Sequence, residues 1–202
     1  MSRKTSKKET SLPLLPQLEA ELGHEQYKSK YSQALRSTVY VLIVTAAVVV
    51  LLTFLMFPVF RIYGSSMSPT VNEGEIVVSL KGSSFSNGDV IVLSYNNKLL
   101  VKRVIAGPGQ MFDMDEDGSV YVDGKLVDEP YLINKAYGDC DLELPYQVPE
   151  GRYFVMGDSR ATSLDSRNSA VGCIAKEQIV GRAILRIWPM ESFGSIKRVN
   201  NK

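Results

Sequence analysis

The chain has 202 residues, with 23 basic and 22 acidic side chains and a formal net charge of +1. So even a balance argues against nucleic acid as a partner. The single histidine, His24, argues against a His-based metal site, and no phosphate-cradling glycine loop or internal repeat is present, so no cofactor and no metal are expected.

Met1 to about Leu22 is polar, carries Pro13 and Pro16, and reads as disordered. Gly23 to Arg36 can continue as helix into the apolar run beyond it. From Ser37 to Phe60 there is no charged residue, and most positions are Val, Leu, Ile, Ala, Phe or Met. At ~1.5 Å per residue this run crosses a ~30 Å hydrocarbon core with slight tilt. A cleaved signal peptide and a buried core helix are the competing readings. The run is too long for a signal h-region, and the polar segment before it is too long for an n-region. Arg3, Lys4, Lys7, Lys8, Lys28, Lys30 and Arg36 precede the span, and Arg61 is the only basic residue for some distance after it. The positive-inside rule then keeps the N-terminus in the cytoplasm. The expected organisation is a cytoplasmic segment over 1–36, a transmembrane helix over 37–60 and an extracytoplasmic domain over 61–202.

The outer part is one domain in size and reads as mostly β. Glu75–Leu80, Val90–Tyr95, Leu99–Ile105, Val120–Val122, Lys125–Val127, Arg152–Met156 and Ala183–Trp188 are the expected strands. Asn96-Asn97-Lys98 is a hairpin signal, and Asp123-Gly124 is a type I′ turn signature. The expected fold is a coiled, barrel-like antiparallel β domain.

Two features of this domain carry chemistry. Gly64-Ser65-Ser66-Met67-Ser68-Pro69-Thr70 comes directly after the span. A turn stiffened by Pro69 can fix the Ser66 hydroxyl and offer the Ser66 N–H to an oxyanion, although most serines in such turns only bond locally. Lys102 shares one strand face with Leu100 and Val104, while Arg103 lies on the other with Val101 and Ile105. A buried lysine loses solvation in its charged form and becomes a general base; a lysine that snorkels to water is the other reading. With His24 before the span, an external Ser-His-Asp triad is impossible, so an external serine needs another base.

These motifs closely resemble type I signal peptidases, the membrane-bound Ser/Lys proteases that remove signal peptides from exported proteins. Gly64–Thr70 resembles the nucleophile box. Lys102-Arg103-Val104-Ile105-Ala106-Gly107-Pro108-Gly109 resembles the general-base box. Gly157-Asp158-Ser159-Arg160, with Ser163 and Asp165-Ser166-Arg167, resembles the third box. The resemblance implies Ser66 as nucleophile and oxyanion donor, Lys102 as base and Ser163 as the residue that orients the base. It implies structural ion pairs among Arg103, Asp158, Asp165 and Arg167, with Arg103 meeting Asp158. Arg160 is read as structural with them, a solvated charged loop being the bland alternative for it.

The chain departs from common family patterns at Gly64, where some members have a serine that assists the oxyanion hole. Ser159 stands where asparagine is usual, and Gly107 and Gln110 replace a leucine and an acidic residue. Substrate would add to exposed edges near Phe60–Ser65 and Leu99–Lys102, with Ile62, Tyr63 and Leu100 as wall residues of pockets for small side chains. Cys140 and Cys173 form a candidate disulfide in an external domain.

The resemblance implies cleavage after an A-x-A type sequence at a bacterial cell membrane, with small size and one span resembling Gram-positive members. Exported preproteins and the bilayer are the implied partners, with the secretion translocon as a candidate. The alternatives are a Ser/Lys protease specialised for pilin, conjugation or spore substrates, and a membrane-tethered binding domain that has lost catalysis.

Overall fold

A computed structural model describes residues 15–82 and 84–199. Its helix, α1, runs Leu15–Met56. Pro16 is tolerated in the first turn, where its missing N–H has no intrahelical partner to lose, and Pro58 prevents continuation. The hydroxyls of Thr38, Thr45 and Thr53 donate to the carbonyls of Ala34, Val41 and Val49, so these polar groups are satisfied inside the helix. The apolar stretch Lys30–Met56 has 27 residues, about 40 Å of helix, and none of it is buried. A helix apolar all round needs an apolar solvent.

Two expectations change at the helix ends. Residues 15–22 are helical rather than disordered, and residues 1–14 lie outside the described residues. The run expected to span to Phe60 ends at Met56, because Val59 and Phe60 are taken by strand β1 (Val59–Arg61).

The described residues from Phe54 onward form a compact unit of their own. After β1 come β2 (Ile76–Leu80), β3 (Val90–Tyr95), β4 (Lys98–Ala106), β5 (Met111–Met114), β6 (Val120–Val122) and β7 (Lys125–Leu126). They are followed by β8 (Tyr146–Gln147), β9 (Arg152–Met156), β10 (Ile174–Ala175), β11 (Ile179–Trp188) and β12 (Gly194–Ser195). The larger sheet is ordered β1-β2-β11-β3-β4-β9-β10, with β12 on β11; the smaller is β7-β6-β5-β8. All pairings are antiparallel, as expected, but both sheets are open and no barrel closes.

Turn chemistry sets the hairpins. Asn96 (φ 47°) and Asn97 (φ 60°) are both left-handed and join β3 to β4. Asp123 (φ 52°) and Gly124 (φ 72°) do the same between β6 and β7. The last long strand begins earlier than the expected Ala183. It includes Gly181, where a Cβ would stand 2.7 Å from the Leu80 carbonyl, so only glycine lets β11 approach β2.

Three apolar clusters hold the domain. Phe112, stacked on Phe154 at 4.0 Å, centres the one beneath the smaller sheet. Ile91, Leu93, Val104 and Val155 form a second, and Ile62, Met67, Val71, Val77, Val92 and Ala183 form a third. Ser66 and Lys102 are placed from these last two.

Candidate active site

Ser66 lies in the loop between β1 and β2. Met67, only 2% exposed, drops into the third cluster beside Val71 and pins the loop. The Ser68 N–H donates to the Ser65 carbonyl at 3.0 Å and the Val71 N–H to the Met67 carbonyl at 3.0 Å. With Met67 anchored inward, Ser66 is left half-buried. No backbone hydrogen bond among the described residues uses the Ser66 N–H, so it remains a free donor.

Lys102 is 4% exposed on β4. Its Nζ donates to Ser163 Oγ at 2.7 Å. Burial pushes its pKa below the ordinary lysine value. The Asp165 carboxylate opposes that shift, Arg167 supports it, and Asp158 opposes it. The fold limits what these carboxylates can do by pairing each with an arginine. Arg167 binds Asp165 through Nε and Nη2, both at 2.9 Å, and the Gly157 N–H donates to Asp165 at 3.0 Å. Burial alone would raise Asp165, but these partners outweigh it and hold the carboxyl below its ordinary value. Asp165 is the strongest opponent of that shift, yet desolvation outweighs it and the Lys102 pKa stays lowered.

Ser66 and Ser163 meet at Gly157. A Cβ on Gly157 would stand 2.5 Å from the Ser66 carbonyl oxygen and closer still to Ser163 Oγ. The Ser66 carbonyl also accepts the Ser159 N–H at 3.0 Å. The Ser66 loop is thus docked on the third box, directly beside the hydroxyl that holds the Lys102 amine.

Behind this cluster lies a buried ionic network. Arg103 is 1% exposed and binds Asp158 through Nε (2.8 Å) and Nη2 (2.6 Å), the Gly88 carbonyl (2.9 Å) and Thr70 Oγ1 (3.2 Å). Arg160 is buried too, so the solvated-loop alternative does not hold for it. It pairs with Glu129 through both Nη atoms and donates through Nε to the Gly157 carbonyl at 3.2 Å.

Glu129 and Tyr131 are not legible in the sequence. Tyr131 lies under the Arg103 guanidinium, 3.8 Å from its ring centre, and donates to Glu129 at 2.7 Å. Burial first, then the Glu129 charge, pushes the Tyr131 hydroxyl far up, so it stays a neutral donor. The only available signal is a Glu-Pro-Tyr step in a turn-rich stretch, which says nothing of Arg160, 31 residues on.

Ile62, Tyr63 and Leu100 all line one groove of about 710 Å³, bounded by residues 59–63, which are β1 and the two residues after it, and by residues 97–101, which are the end of the β3–β4 turn and the start of β4, with Val92 also on its lining. Ile62 is 4% exposed and also belongs to the third cluster, whereas Tyr63 is 79% exposed. The expected disulfide is not formed. Cys140 and Cys173 are free thiols that pack on the same apolar cluster. Each behaves as a small hydrophobe.

The family model described as "Signal peptidase, peptidase S26" matches residues 35–188, which contain every box described above. The chain belongs to this family. It is a serine peptidase, a hydrolase. A signal peptidase I from Bacillus amyloliquefaciens is 34% identical over 86% of this chain and 98% of its own length. Signal peptidase I U of Bacillus subtilis (strain 168) is 35% identical over 78% of this chain and 88% of its own. Signal peptidase IB of Staphylococcus aureus (strain COL) is 38% identical over 69% and 82%. A crystal structure of a signal peptidase I from Enterococcus faecalis V583 is similar over 50% of this chain and 97% of that one, with 28% identity and a TM-score of 0.43. The signal peptidase family removes signal peptides and is anchored in membranes, and α1 is apolar enough for an anchor.

Proposed function

We propose that this chain cleaves signal peptides from exported preproteins through a Ser66/Lys102 pair. The observation that carries the proposal is the Lys102–Ser163 hydrogen bond of 2.7 Å, made beside the Ser66 carbonyl at Gly157. Neutral Lys102 keeps one N–H on Ser163 Oγ, which aims its lone pair. It takes the proton from Ser66 Oγ as that oxygen attacks the carbonyl carbon at the cut. The Ser66 N–H stabilises the oxyanion, and the second donor is left to another group, since Gly64 supplies no hydroxyl. The protonated lysine then gives its proton to the departing amine, which releases the mature protein. In the second half, Lys102 deprotonates the water that attacks the acyl-enzyme and then returns that proton to the departing Ser66 Oγ, so the signal peptide leaves with a free carboxyl end and the Ser66 hydroxyl and neutral amine are restored.

The substrate lies extended between the free edges of β1 and β4, its small residues seated on the apolar floor at Ile62, Tyr63 and Leu100. This supports cleavage after A-x-A type sequences. The buried pairs Arg103–Asp158 and Asp165–Arg167 hold the frame. The helix α1 spans the bacterial cell membrane once, with the basic N-terminal segment 1–36 in the cytoplasm and residues 61–202 outside. The lipid bilayer is then a partner, and the secretion translocon delivers the substrate.

The test is cleavage of a model preprotein in detergent by wild type, Ser66→Ala and Lys102→Ala, with the product's new N-terminus sequenced. Product from the wild type alone, cut after a small residue, is the expected outcome. Cleavage that survives Lys102→Ala would end the lysine-base mechanism.

A further inference from the structure

A second cavity, of about 370 Å³, opens where the chain after β12 returns past the start of β3. Arg182, Lys197 and Arg198 bring three cations to its lining, and Asp89 is the one carboxylate there among the described residues. The returning chain is fixed in place. The Ile196 N–H donates to the Ile184 carbonyl at 3.0 Å, and Arg198 Nε donates to the Asn87 carbonyl at 3.3 Å. A Cβ at Gly88 would collide with the Val199 carbonyl.

Asp89 is 2% exposed and already engaged. Its Oδ2 accepts the Ser86 N–H at 2.9 Å, while its Oδ1 meets Arg182 Nη1 at 3.4 Å and Arg198 Nε at 3.8 Å. One carboxylate against three cations leaves a surplus of positive charge. Arg103 and Arg167 spend their donors on the protein, but these two arginines do not. Arg182 Nε and Nη2, both Nη atoms of Arg198 and Lys197 Nζ have no hydrogen-bond partner among the described residues. The Arg182 and Arg198 side chains are 41% and 43% exposed, so these donors are open to a ligand. Paired guanidinium forks match the oxygens of a phosphate group.

The sheet register places this cavity near the end of the apolar run. Phe54–Met56, the last residues of that run, belong to the same compact unit as the sheets. The Lys81 N–H donates to the Met56 carbonyl at 3.2 Å, and Leu80, next to it, is the partner of Arg182 across the strands. Arg182 is thus two strand spacings, about 10 Å, from where the chain leaves the run. A headgroup layer begins where the hydrocarbon core ends. Toward the other side Arg182 pairs with Ile91, and Ile91 with Lys102, so the same rung carries the candidate base.

We infer that Arg182, Lys197 and Arg198 bind the phosphodiester of an anionic phospholipid and so hold the Lys102 rung at the lipid surface. This rests on the membrane anchoring by α1 proposed above. Each Lys or Arg near an anionic lipid surface contributes roughly 5-fold to binding, so losing two weakens it by about 20-fold at low salt. At 1 M salt the Debye length falls to ~3 Å and most of the difference disappears.

The experiment uses the full chain in neutral detergent, titrated with phosphatidylglycerol or phosphatidylcholine. Native mass spectrometry reads the affinity of the first bound lipid, and Trp188 fluorescence melts check folding. Lys197→Gln removes a cation without a protein partner, and Lys197→Gln/Arg198→Gln leaves Arg182 to hold Asp89. The basic residues of segment 1–36 are the same in every variant, so differences report the cavity. Phosphatidylglycerol affinity should fall about 5-fold in the single variant and about 20-fold in the double, with phosphatidylcholine unchanged. Equal phosphatidylglycerol affinity in folded wild type and double variant overturns the inference. So does an equal loss for both lipids, since the cavity then does not read lipid charge. Inorganic phosphate that raises the Tm of wild type but not of the double variant, with lipid affinities equal, would assign the cavity to a soluble anion and overturn the lipid source. A chain stripped from membranes by alkaline carbonate would overturn the anchoring, and this inference with it. A folded wild type that binds phosphatidylglycerol through these residues yet cuts no signal-sequence peptide would overturn the peptidase reading and leave the lipid site standing.

Discussion

Gly157 tests whether the site depends on a sub-ångström fit between two loops. Alanine there adds one carbon at ordinary backbone angles, because Gly157 does not have positive φ. That carbon would stand 2.5 Å from the Ser66 carbonyl, where ordinary contact begins at 3.4 Å. Ser66 must therefore retreat by roughly 1 Å, or Ser163 must turn away and release the Lys102 amine. A displacement of that size at a reacting group costs about 100-fold in rate. The overpacking itself costs about 1–3 kcal/mol of stability, which leaves the domain folded. The assay is steady-state cleavage of a model preprotein in detergent, alongside a Trp188 fluorescence melt. Gly157→Ala should lose about two orders of magnitude in kcat with a modest drop in Tm. Gly194→Ala, where a Cβ meets nothing within 4 Å, should be near wild type in both. A Gly157→Ala enzyme within about threefold of wild-type kcat would refute the claim that Ser66 and Ser163 are set against each other through this glycine.

Lys102→Met should abolish cleavage yet stabilise the domain at neutral pH. The folded pKa of Lys102 lies below its unfolded value, so below the folded pKa the buried ammonium weakens the fold, and the penalty fades as pH rises toward ~10.5. Urea midpoints at pH 6, 8 and 10 should show the advantage of the variant shrinking with pH; an advantage that grew would contradict the burial argument. Asp165→Asn removes the carboxylate that most opposes the lowered lysine pKa, so the acidic limb of the kcat profile should move to lower pH. A shift to higher pH would contradict the reading that the Asp165 charge raises the Lys102 pKa. Glu129→Ala strands the buried Arg160 guanidinium and should cost about 3–5 kcal/mol, read as a large drop in the urea midpoint. A loss below about 1 kcal/mol would show that Arg160 finds water or another partner.

The charge-free run before Arg61, the alternation around Lys102 and the Asn96-Asn97 and Asp123-Gly124 turns are local properties. Their outcomes follow from periodicity, side-chain volume and backbone sterics within a few residues. That is why the apolar helix, most strands and the candidate base are readable in one dimension. The helix end is not, because Val59 and Phe60 are as apolar as the residues before them, and only pairing with β2 decides that they are strand. β5, β8, β10 and β12 are short and irregular in pattern, so partners rather than propensity define them. Motif resemblance implies the Arg103–Asp158 pair, but nothing in the sequence implies Glu129 and Tyr131. Their roles depend on a turn arriving beside Arg160 and Arg103 from across the fold. The free thiols of Cys140 and Cys173 show the same limit: two cysteines permit a bridge, and packing decides whether they form one. The sequence by itself determined which groups could react. Only the tertiary structure decided which of them are dry, which are neutralised and which stand within a hydrogen bond of one another. Those properties depend on neighbours tens of residues away, and no local pattern encodes them.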